Sequence, residues 1–281
     1  METTRIPIIP NSLAHVAVRA LTPAFAAELL SVPSENEIAE NSKIYNPEKI
    51  YKARNIILRN INFSLKMDFN KILNEYYLKK NSSLRGWRAL HNVCLDYLTA
   101  KKDKNAEELA LKAYNSSNNM TIKLYSLSCI CNMKGKYKKR LISEFYQQYK
   151  EQPIMIEKWF QIQASAKTKN NLHVVKRLIK LADFNYKNPN QVRAVLTAFA
   201  KNNSINFHHS SGSGYKFIAE QIIYLDSINP SSASGLASAF SNWKNLELDK
   251  RKIIKQNLLK IIKKKNLSTN TFEIIDNIIK S

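Results

Sequence analysis

The sequence predicts an all-α protein, built as an irregular α-superhelix of stacked antiparallel helix pairs with no sheet. Only five of the 281 residues are glycine, whereas hairpin-rich and nucleotide-binding folds usually need more glycine at positive φ. Apolar residues recur at the 3-4 spacing of amphipathic helices along most of the chain. Short polar turns separate these stripes, and such turns suit antiparallel helix pairs packed side by side.

The starts of several helices are marked by capping residues. Thr22, Asn46 and Asn188 each precede a proline, which favours an N-cap followed by proline at the first helical position. Ser34 and Glu37 have the spacing of a capping box, in which each side chain bonds the other residue's backbone amide. These signals predict where the first helices and one central helix begin.

Apolar stripes locate the other helices. Ser82-Ser83 precedes LRGWRALHNVCLDYL, and His91 lies on its apolar face, which predicts a core histidine with satisfied hydrogen bonds. Stacked helices of this kind resemble HEAT and armadillo solenoids, although we find no repeat of fixed period. The pattern shows no break that marks a domain boundary; any interruption is expected near 66–82, where polar and aromatic residues alternate around Asn81-Ser82-Ser83. Further helices are predicted at 105–115, 121–132, 138–150, 154–165, 171–181, 190–201, 213–227, 231–242, 248–264 and 270–279.

The chain carries a formal net charge of +22, mostly from lysine. An excess of this size points toward nucleic acid or anionic membrane surfaces. The favoured alternative is that genome base composition enriches lysine, asparagine and isoleucine together, since the lysines are spread along the chain. On that alternative, the lysines of 250–265 are expected to lie on a solvated face, opposite the apolar stripe of Ile253, Ile254, Leu258, Ile261 and Ile262. We therefore expect only weak, non-specific nucleic-acid binding at low salt. No membrane partner is expected, because no stretch approaches the ~18 apolar residues of a spanning helix.

The three cysteines indicate a reducing compartment. Cys129 and Cys131 are too close together for the usual two-residue-spaced zinc or redox pair, so with Cys94 they are predicted to be buried, reduced thiols of a cytoplasmic protein. The start METTRIPIIPNSL lacks the apolar core of a secretory signal. Its arginine, threonine and serine leave organelle import open, against which Glu2 and Glu28 count.

The segment NFHHSSGSGYKF at 206–217 is the strongest candidate for chemistry. His208 and His209 are adjacent, so their side chains diverge, and the favoured interpretation is a solvent-facing loop pair. The serine-glycine run lacks the lysine of a phosphate loop and is predicted to form a turn before a helix beginning at Ser213 or Gly214. We therefore expect no catalytic residue, metal ligand or cofactor-binding residue in this chain.

Six segments occur along the chain in a recognisable order: LTPAFAAELLSVPSENEIAE (21–40), RGWRALHNVCLDYL (85–98), SSNNMT (116–121), MIEKWFQIQA (155–164), NPNQVRAVLTAFA (188–200) and FHHSSGSGYKF (207–217). Together they closely resemble the C-terminal helical domain of bacterial aminopeptidase N, the zinc-dependent alanyl aminopeptidase family. The resemblance covers 21–281, whereas 1–20 match weakly, and the matching domain is expected to be truncated at its start.

This resemblance implies a superhelical cap that encloses a cavity above a catalytic domain. In that family the catalytic domain holds an H-E-x-x-H zinc site and a G-A-M-E-N segment that captures the substrate's amine, and neither is present here. The chain is therefore expected to be a fragment or split-gene product, a decayed copy or a retained piece, inactive alone. Its expected partners are peptides and a separate aminopeptidase catalytic chain, which would hold the zinc.

The resemblance also implies three substrate-binding candidates at the cavity. Arg193 matches an arginine that faces the cavity and can meet the carboxylate end of a longer peptide, while Ser213 and Tyr215 belong to the matching cap segment. A guanidinium offers a forked, permanently charged donor set to a carboxylate. Relatives often carry a second arginine at the position of Gly235, which weakens the expected binding here. An ordinary surface ion pair for Arg193 is an equally open alternative.

A second functional hypothesis belongs to a different class. The chain would be a free-standing helical scaffold that binds protein or nucleic acid through a basic concave face. A neighbouring reading frame that encodes H-E-x-x-H would favour the split enzyme, whereas an isolated gene would favour reuse or decay.

Overall fold

The computed structural model describes residues 22–78 and 84–281, so the predicted helix start at Ser82-Ser83 lies outside the described ranges. Helices account for nearly all regular structure in these ranges. They contain no β-strand, only an isolated parallel bridge between Tyr45 and Leu246. The all-α prediction is confirmed. No described helix is both long enough and apolar enough to cross a membrane.

The described residues fall into two compact units, one comprising 22–32 and 54–135 and the other 33–53 and 136–281. The prediction of one helical domain over 21–281 stays a prediction. The first unit contains α1 (Pro23–Leu30), the larger part of α3 (Pro47–Leu78), α4 (Arg85–Thr99), α5 (Lys104–Ser116) and α6 (Met120–Cys131).

The second unit contains α2, the start of α3 and the described helices that follow α6. The segment 189–202 is helical throughout, with a π-helical turn at Arg193–Thr197, and 3-10 turns occupy Ser238–Phe240 and Trp243–Asn245. Its other helices are α2 (Glu35–Glu40), α7 (Tyr137–Tyr149), α8 (Pro153–Ala164), α9 (Asn171–Leu178), α10 (Pro189–Val192), α11 (Ala198–Asn202), α12 (Ser204–Phe207), α13 (Ser213–Asp226), α14 (Pro230–Ala237), α15 (Leu248–Ile262) and α16 (Thr269–Lys280).

These bounds agree with the predicted stripes to within a few residues. The exceptions are 171–181 and 231–242, where α9 ends at Leu178 and α14 gives way to a 3-10 turn after Ala237.

The capping predictions are largely confirmed. Ser34 and Glu37 form the complete capping box. The side-chain oxygens of Asn46 and Asn188 accept backbone N–H bonds at 3.0 and 2.9 Å. Thr22 lies at the N-cap of α1, but its side chain makes no capping hydrogen bond.

The predicted interruption near 66–82 is wrong for residues 66–78, which continue α3. Only Leu65 departs from helical geometry, with φ −115° and ψ 15°. Phe69, Ile72, Leu73 and Tyr76 follow at helical spacing and are buried, so packing maintains the helix where the local pattern looked irregular.

In the first unit, α1 and α4 pack closely. The Tyr97 hydroxyl of α4 donates to the Leu30 carbonyl of α1 at 2.6 Å. The ring of Tyr97 also stacks on Phe69 of α3, with ring centroids 4.7 Å apart. Gly86 permits the close approach, because a Cβ there would lie 2.8 Å from the Ala24 backbone nitrogen.

Polar and thiol groups of the first unit behave as predicted. His91 is fully buried, and its Nε2 lies 3.0 Å from the Tyr77 hydroxyl. Burial lowers the pKa of His91 to about 4. Cys94, Cys129 and Cys131 are buried and form no disulfide, as predicted for buried thiols. Burial also raises the pKa of the Cys94 and Cys129 thiols, so neither is a ready nucleophile.

Candidate functional site

Arg193 begins the π-helical turn between α10 and α11. Its side chain is exposed, while Val192 and Ala194 on either side are buried, so the turn holds its backbone against the core. The guanidinium Nη2 donates to the Asn190 side-chain oxygen at 2.5 Å. That acceptor is a neutral amide, so the positive charge of Arg193 is oriented without being neutralised there. Single π-turns inside helices are frequent at functional sites.

The loop from α12 to α13 places Ser213 at a helix start, as predicted. Gly212 has φ 68°, a conformation that suits glycine, and precedes the first residue of α13. Gly214 lies against backbone, where a Cβ would be 2.4 Å from the Phe207 carbonyl oxygen. The glycines therefore shape the turn, as the sequence predicted.

His208 and His209 have different environments, so the prediction of a solvent-facing pair is wrong for His208. His209 is exposed. The imidazole of His208 is half-buried against Phe207, with ring centroids 4.8 Å apart, and its Nδ1 lies 2.8 Å from the Tyr215 hydroxyl. The reason is the tight turn at Gly212, which brings Tyr215 back over the preceding helix.

The side chain of Tyr215 is completely buried, with no exposed surface. Its ring packs edge-on against Phe207 at 5.1 Å, and burial raises its pKa far above the usual phenol value. Burial, with a smaller contribution from the Lys250 charge, lowers the pKa of His208 to about 3. Both groups are therefore neutral near pH 7.

The burial of Lys250 differs from the sequence-based prediction for the lysines of its helix. The lysines of 250–265 were predicted to be solvated, yet Lys250 is only 8% exposed. It lies near the start of α15, and a long aliphatic stem lets such a residue pack against the core. The apolar stripe of α15 is as predicted, with Ile254, Leu258 and Ile261 buried.

A cavity of about 160 Å³ adjoins His208 in the second unit. Its wall carries both polar and aromatic side chains, among them those of Asn36, Tyr45, Ser204, His208, Phe240 and Trp243.

Beside this cavity, Glu35 organises a buried charged cluster that sequence reasoning missed. Its carboxylate accepts hydrogen bonds from the Lys167 ammonium and the Ser204 hydroxyl, and the Glu35 side chain is only 9% exposed. Asn36 adds a bond from its Nδ2 to the Lys201 carbonyl at 3.2 Å. These contacts join α2 to parts of the chain more than 130 residues later, and no local sequence pattern predicts contacts over such a separation.

Ser213 lies in a separate open groove. The groove is lined by cationic, imidazole and neutral groups without a carboxylate: Lys169, Asn170, Leu172, His173, Lys176, Asn206, His209 and Ser213. Such a lining suits an anionic group.

Serine and histidine also meet on this turn. Ser211 Oγ donates to Ser213 Oγ at 3.1 Å and lies 2.8 Å from His209 Nδ1, which the Ser211 backbone nitrogen also approaches at 3.3 Å. All three side chains are exposed, and the contacts span only two residues each, so they serve the turn geometry. Among the described residues, no three His, Cys, Asp or Glu side chains are grouped to hold a metal ion.

The structure brings Ser213 and Tyr215 into one turn but gives them different roles. The Ser213 hydroxyl faces an open groove, whereas Tyr215 lies within the core. Arg193 lies on another helical segment with an exposed guanidinium. Their assignment to substrate binding stays a prediction.

Comparison with known proteins identifies a family model and several relatives that match this chain. A protein-family model described as "Domain of unknown function (DUF3458_C) ARM repeats" matches residues 8–280. The chain is similar to aminopeptidase N of Haemophilus influenzae, 32% identical over 256 residues, which are 89% of this chain and 29% of that protein. It is also similar to aminopeptidase N of Caulobacter vibrioides, 30% identical over 261 residues, which are 91% of this chain and 30% of that protein.

A solved structure agrees with these relatives. The crystal structure of Legionella pneumophila aminopeptidase A in complex with aspartic acid superposes with a TM-score of 0.85 at 25% identity, covering 96% of this chain and 33% of that one. The chain thus spans about a third or less of the length of the proteins that it matches.

Proposed function

The chain belongs to the DUF3458_C family of ARM-repeat domains and is homologous to the C-terminal region of aminopeptidase N, and on that premise we propose that it is a peptide-binding cap of an aminopeptidase N-type enzyme. In this role it receives the carboxylate end of a peptide whose amino end is cut elsewhere. The hydrolytic groups and the zinc are supplied by a separate catalytic chain in the cytoplasm. Alone, the chain removes no residue from a peptide.

The observation that carries this proposal is the exposed guanidinium of Arg193 at a π-turn, in a chain homologous along its length to aminopeptidase N. The Asn190 amide orients the guanidinium and leaves its charge uncompensated, so a carboxylate can pair with it through two parallel bonds. The carboxylate-free groove at Ser213 is a second place that suits an anionic peptide group.

Binding of peptides to the purified chain tests the proposal. A fluorescent peptide with a free carboxyl terminus is expected to bind more tightly than the same peptide amidated, and Arg193→Gln is expected to abolish the difference. Losing a charge-assisted bond costs about 1.5–3 kcal/mol, which corresponds to about ten- to hundredfold in affinity. Arg177→Gln, which removes an exposed arginine from α9, is the matched control and should preserve the preference. Equal binding of the two peptides by the unaltered chain would contradict the carboxylate assignment.

A gain-of-function variant sharpens the test. Gly235 is exposed on α14, and a Cβ there meets no heavy atom within 4 Å, so Gly235→Arg can introduce the second arginine that the family resemblance implies at this position. We expect it to strengthen binding of the free-carboxyl peptide and to leave the amidated peptide unaffected. Weaker or unchanged discrimination would argue that this face does not receive a carboxylate.

A further inference from the structure

The three most exposed large hydrophobic side chains of the described residues lie on one face of α3. Phe63 and Met67 are each 86% exposed and Leu78 is 84% exposed, and Ile56 on the same face is 57% exposed. Ile56 and Phe63 are two turns apart in the helical stretch before Leu65, and Met67 and Leu78 are three turns apart in the stretch after it, so each pair lies on one face of its stretch. Isolated apolar residues on a surface need no explanation, but a row of them along one helix does.

Asparagines fill the gaps in this row. Asn60, Asn70 and Asn74 continue the 3-4 spacing between the apolar residues, so seven positions form one seam along the helix. Met67, Asn70, Asn74 and Leu78 line an open groove together with Lys71 and Glu75. A seam that combines apolar and asparagine side chains is suited to a second helix, because the amides can fix its register at the cost of some stability.

The borders of the seam are predominantly basic. Arg59, Lys66 and Lys71 are exposed beside it, whereas the nearby acidic residues, Asp68 and Glu75, are less exposed. A second copy of this chain would bring the same cations and a net charge of +22 to the contact, which disfavours self-association. Electrostatic complementarity instead favours a partner whose flanks are acidic.

We propose that the outer face of α3, defined by Ile56, Phe63, Met67 and Leu78, binds an amphipathic helix of a different chain whose apolar row is flanked by aspartate and glutamate. The partner's apolar side chains cover Phe63 and Met67, and its carboxylates pair with Lys66 and Lys71. This surface lies wholly within the first unit, so it goes beyond the proposed peptide-binding role, which rests on residues of the second unit.

The test uses the full chain and a synthetic helical peptide of about three heptads, with leucine in the apolar row and glutamate on both flanks. Two control peptides carry lysine on the flanks or serine in the apolar row. Fluorescence anisotropy at about 0.01 M and about 0.15 M salt reports affinity where the Debye length is about 30 and 8 Å. We expect the acidic amphipathic peptide to bind at both salt concentrations and more tightly than either control.

Paired variants locate the contact. Phe63→Ser with Met67→Ser is expected to weaken binding by about tenfold or more, as for anchors at the centre of an interface. Ile154→Ser with Leu248→Ser removes two apolar side chains of similar exposure, 65% and 69%, from the second unit and should leave affinity unchanged. Lys66→Glu with Lys71→Glu should reverse the preference toward the lysine-flanked peptide. Circular dichroism checks that each variant remains helical.

Four outcomes would overturn the proposal. Equal binding of the serine-row peptide would mean that only net charge attracts the probe. Equal loss in the control pair would place the contact elsewhere. Absence of binding would show that the face binds no such helix. A dimer in light scattering that the Phe63 and Met67 variants convert to a monomer would show that the face binds a second copy of the chain.

Discussion

His208 Nδ1 and the Tyr215 hydroxyl lie 2.8 Å apart, and this contact joins the end of α12 to the first turn of α13. The hydrogen bond is shielded by Phe207 and by the buried ring of Tyr215 itself. An adjacent pair of histidines is thereby divided into one structural and one surface residue. The histidine that belongs to the core is neutral, because burial and the nearby Lys250 oppose its protonation.

This neutral state predicts a loss of stability in acid. The folded-state pKa is lowered from 6.5 to about 3 at His208 and to about 4 at His91. Between those values and about 6.5, the unfolded chain binds protons that the native chain does not, so the free energy of unfolding falls as pH falls. Each histidine contributes at most about 1.4 kcal/mol per pH unit.

Urea unfolding at several pH values between about 4.5 and 7 measures this slope. His208→Gln should flatten it relative to the unaltered chain. An unaltered slope in the His208 variant would show that this imidazole binds its proton equally well in the native and unfolded states.

The Glu35–Lys167 contact predicts a stability difference between a buried and an exposed ion pair. Lys167→Met leaves the buried Glu35 carboxylate with the Ser204 hydroxyl as its remaining described hydrogen-bond donor in this cluster. We expect destabilisation of about 3 kcal/mol, the lower end for buried pairs, because the Lys167 side chain is 25% exposed. Arg140→Met breaks the exposed Arg140–Glu144 pair of α7 and should cost about 0.5 kcal/mol or less. Denaturant midpoints that shift equally in the two variants would contradict the burial argument.

The two glycines that flank the candidate site should respond oppositely to alanine. Gly214→Ala places a Cβ 2.4 Å from the Phe207 carbonyl oxygen, and we expect a loss of about 1–3 kcal/mol. Gly235→Ala meets open space within α14 and should stabilise by about 0.5–1 kcal/mol, because alanine restricts the unfolded chain more than glycine does. Thermal unfolding of the pair provides the measurement, and destabilisation by both substitutions would mean that α14 is packed more tightly than described.

The net charge predicts weak binding to DNA without sequence preference. If the +22 charge reflects composition alone, the dissociation constant near physiological salt should be about 10⁻⁴–10⁻⁶ M and should weaken steeply as salt rises. Titration of two unrelated duplexes at two salt concentrations measures both properties. Nanomolar affinity that survives at physiological salt would instead indicate a built nucleic-acid site and would favour the scaffold hypothesis.

Local patterns anticipated the elements and parts of the candidate site. The helix start at Ser213, the turn shaped by Gly212 and Gly214, and the burial of His91 were all readable from spacing and backbone preference. The same patterns mispredicted His208 and Lys250, because a polar side chain can be buried when a distant ring or an aliphatic stem covers it. No pattern among residues that are close in sequence predicts that a distant side chain will bury a polar group.

By itself, the sequence determined the helical class, most helix boundaries and the family, because 3-4 spacing, capping residues and ordered homologous segments are encoded locally. The tertiary structure alone decided which polar groups meet. Glu35 finds Lys167 and Ser204, and His208 finds Tyr215, through the packing of helices. It also decided that Phe63 and Met67 face outward on a helix whose other face is buried. The physical reason is that periodicity fixes the faces of a helix, whereas its neighbours determine which face each partner covers.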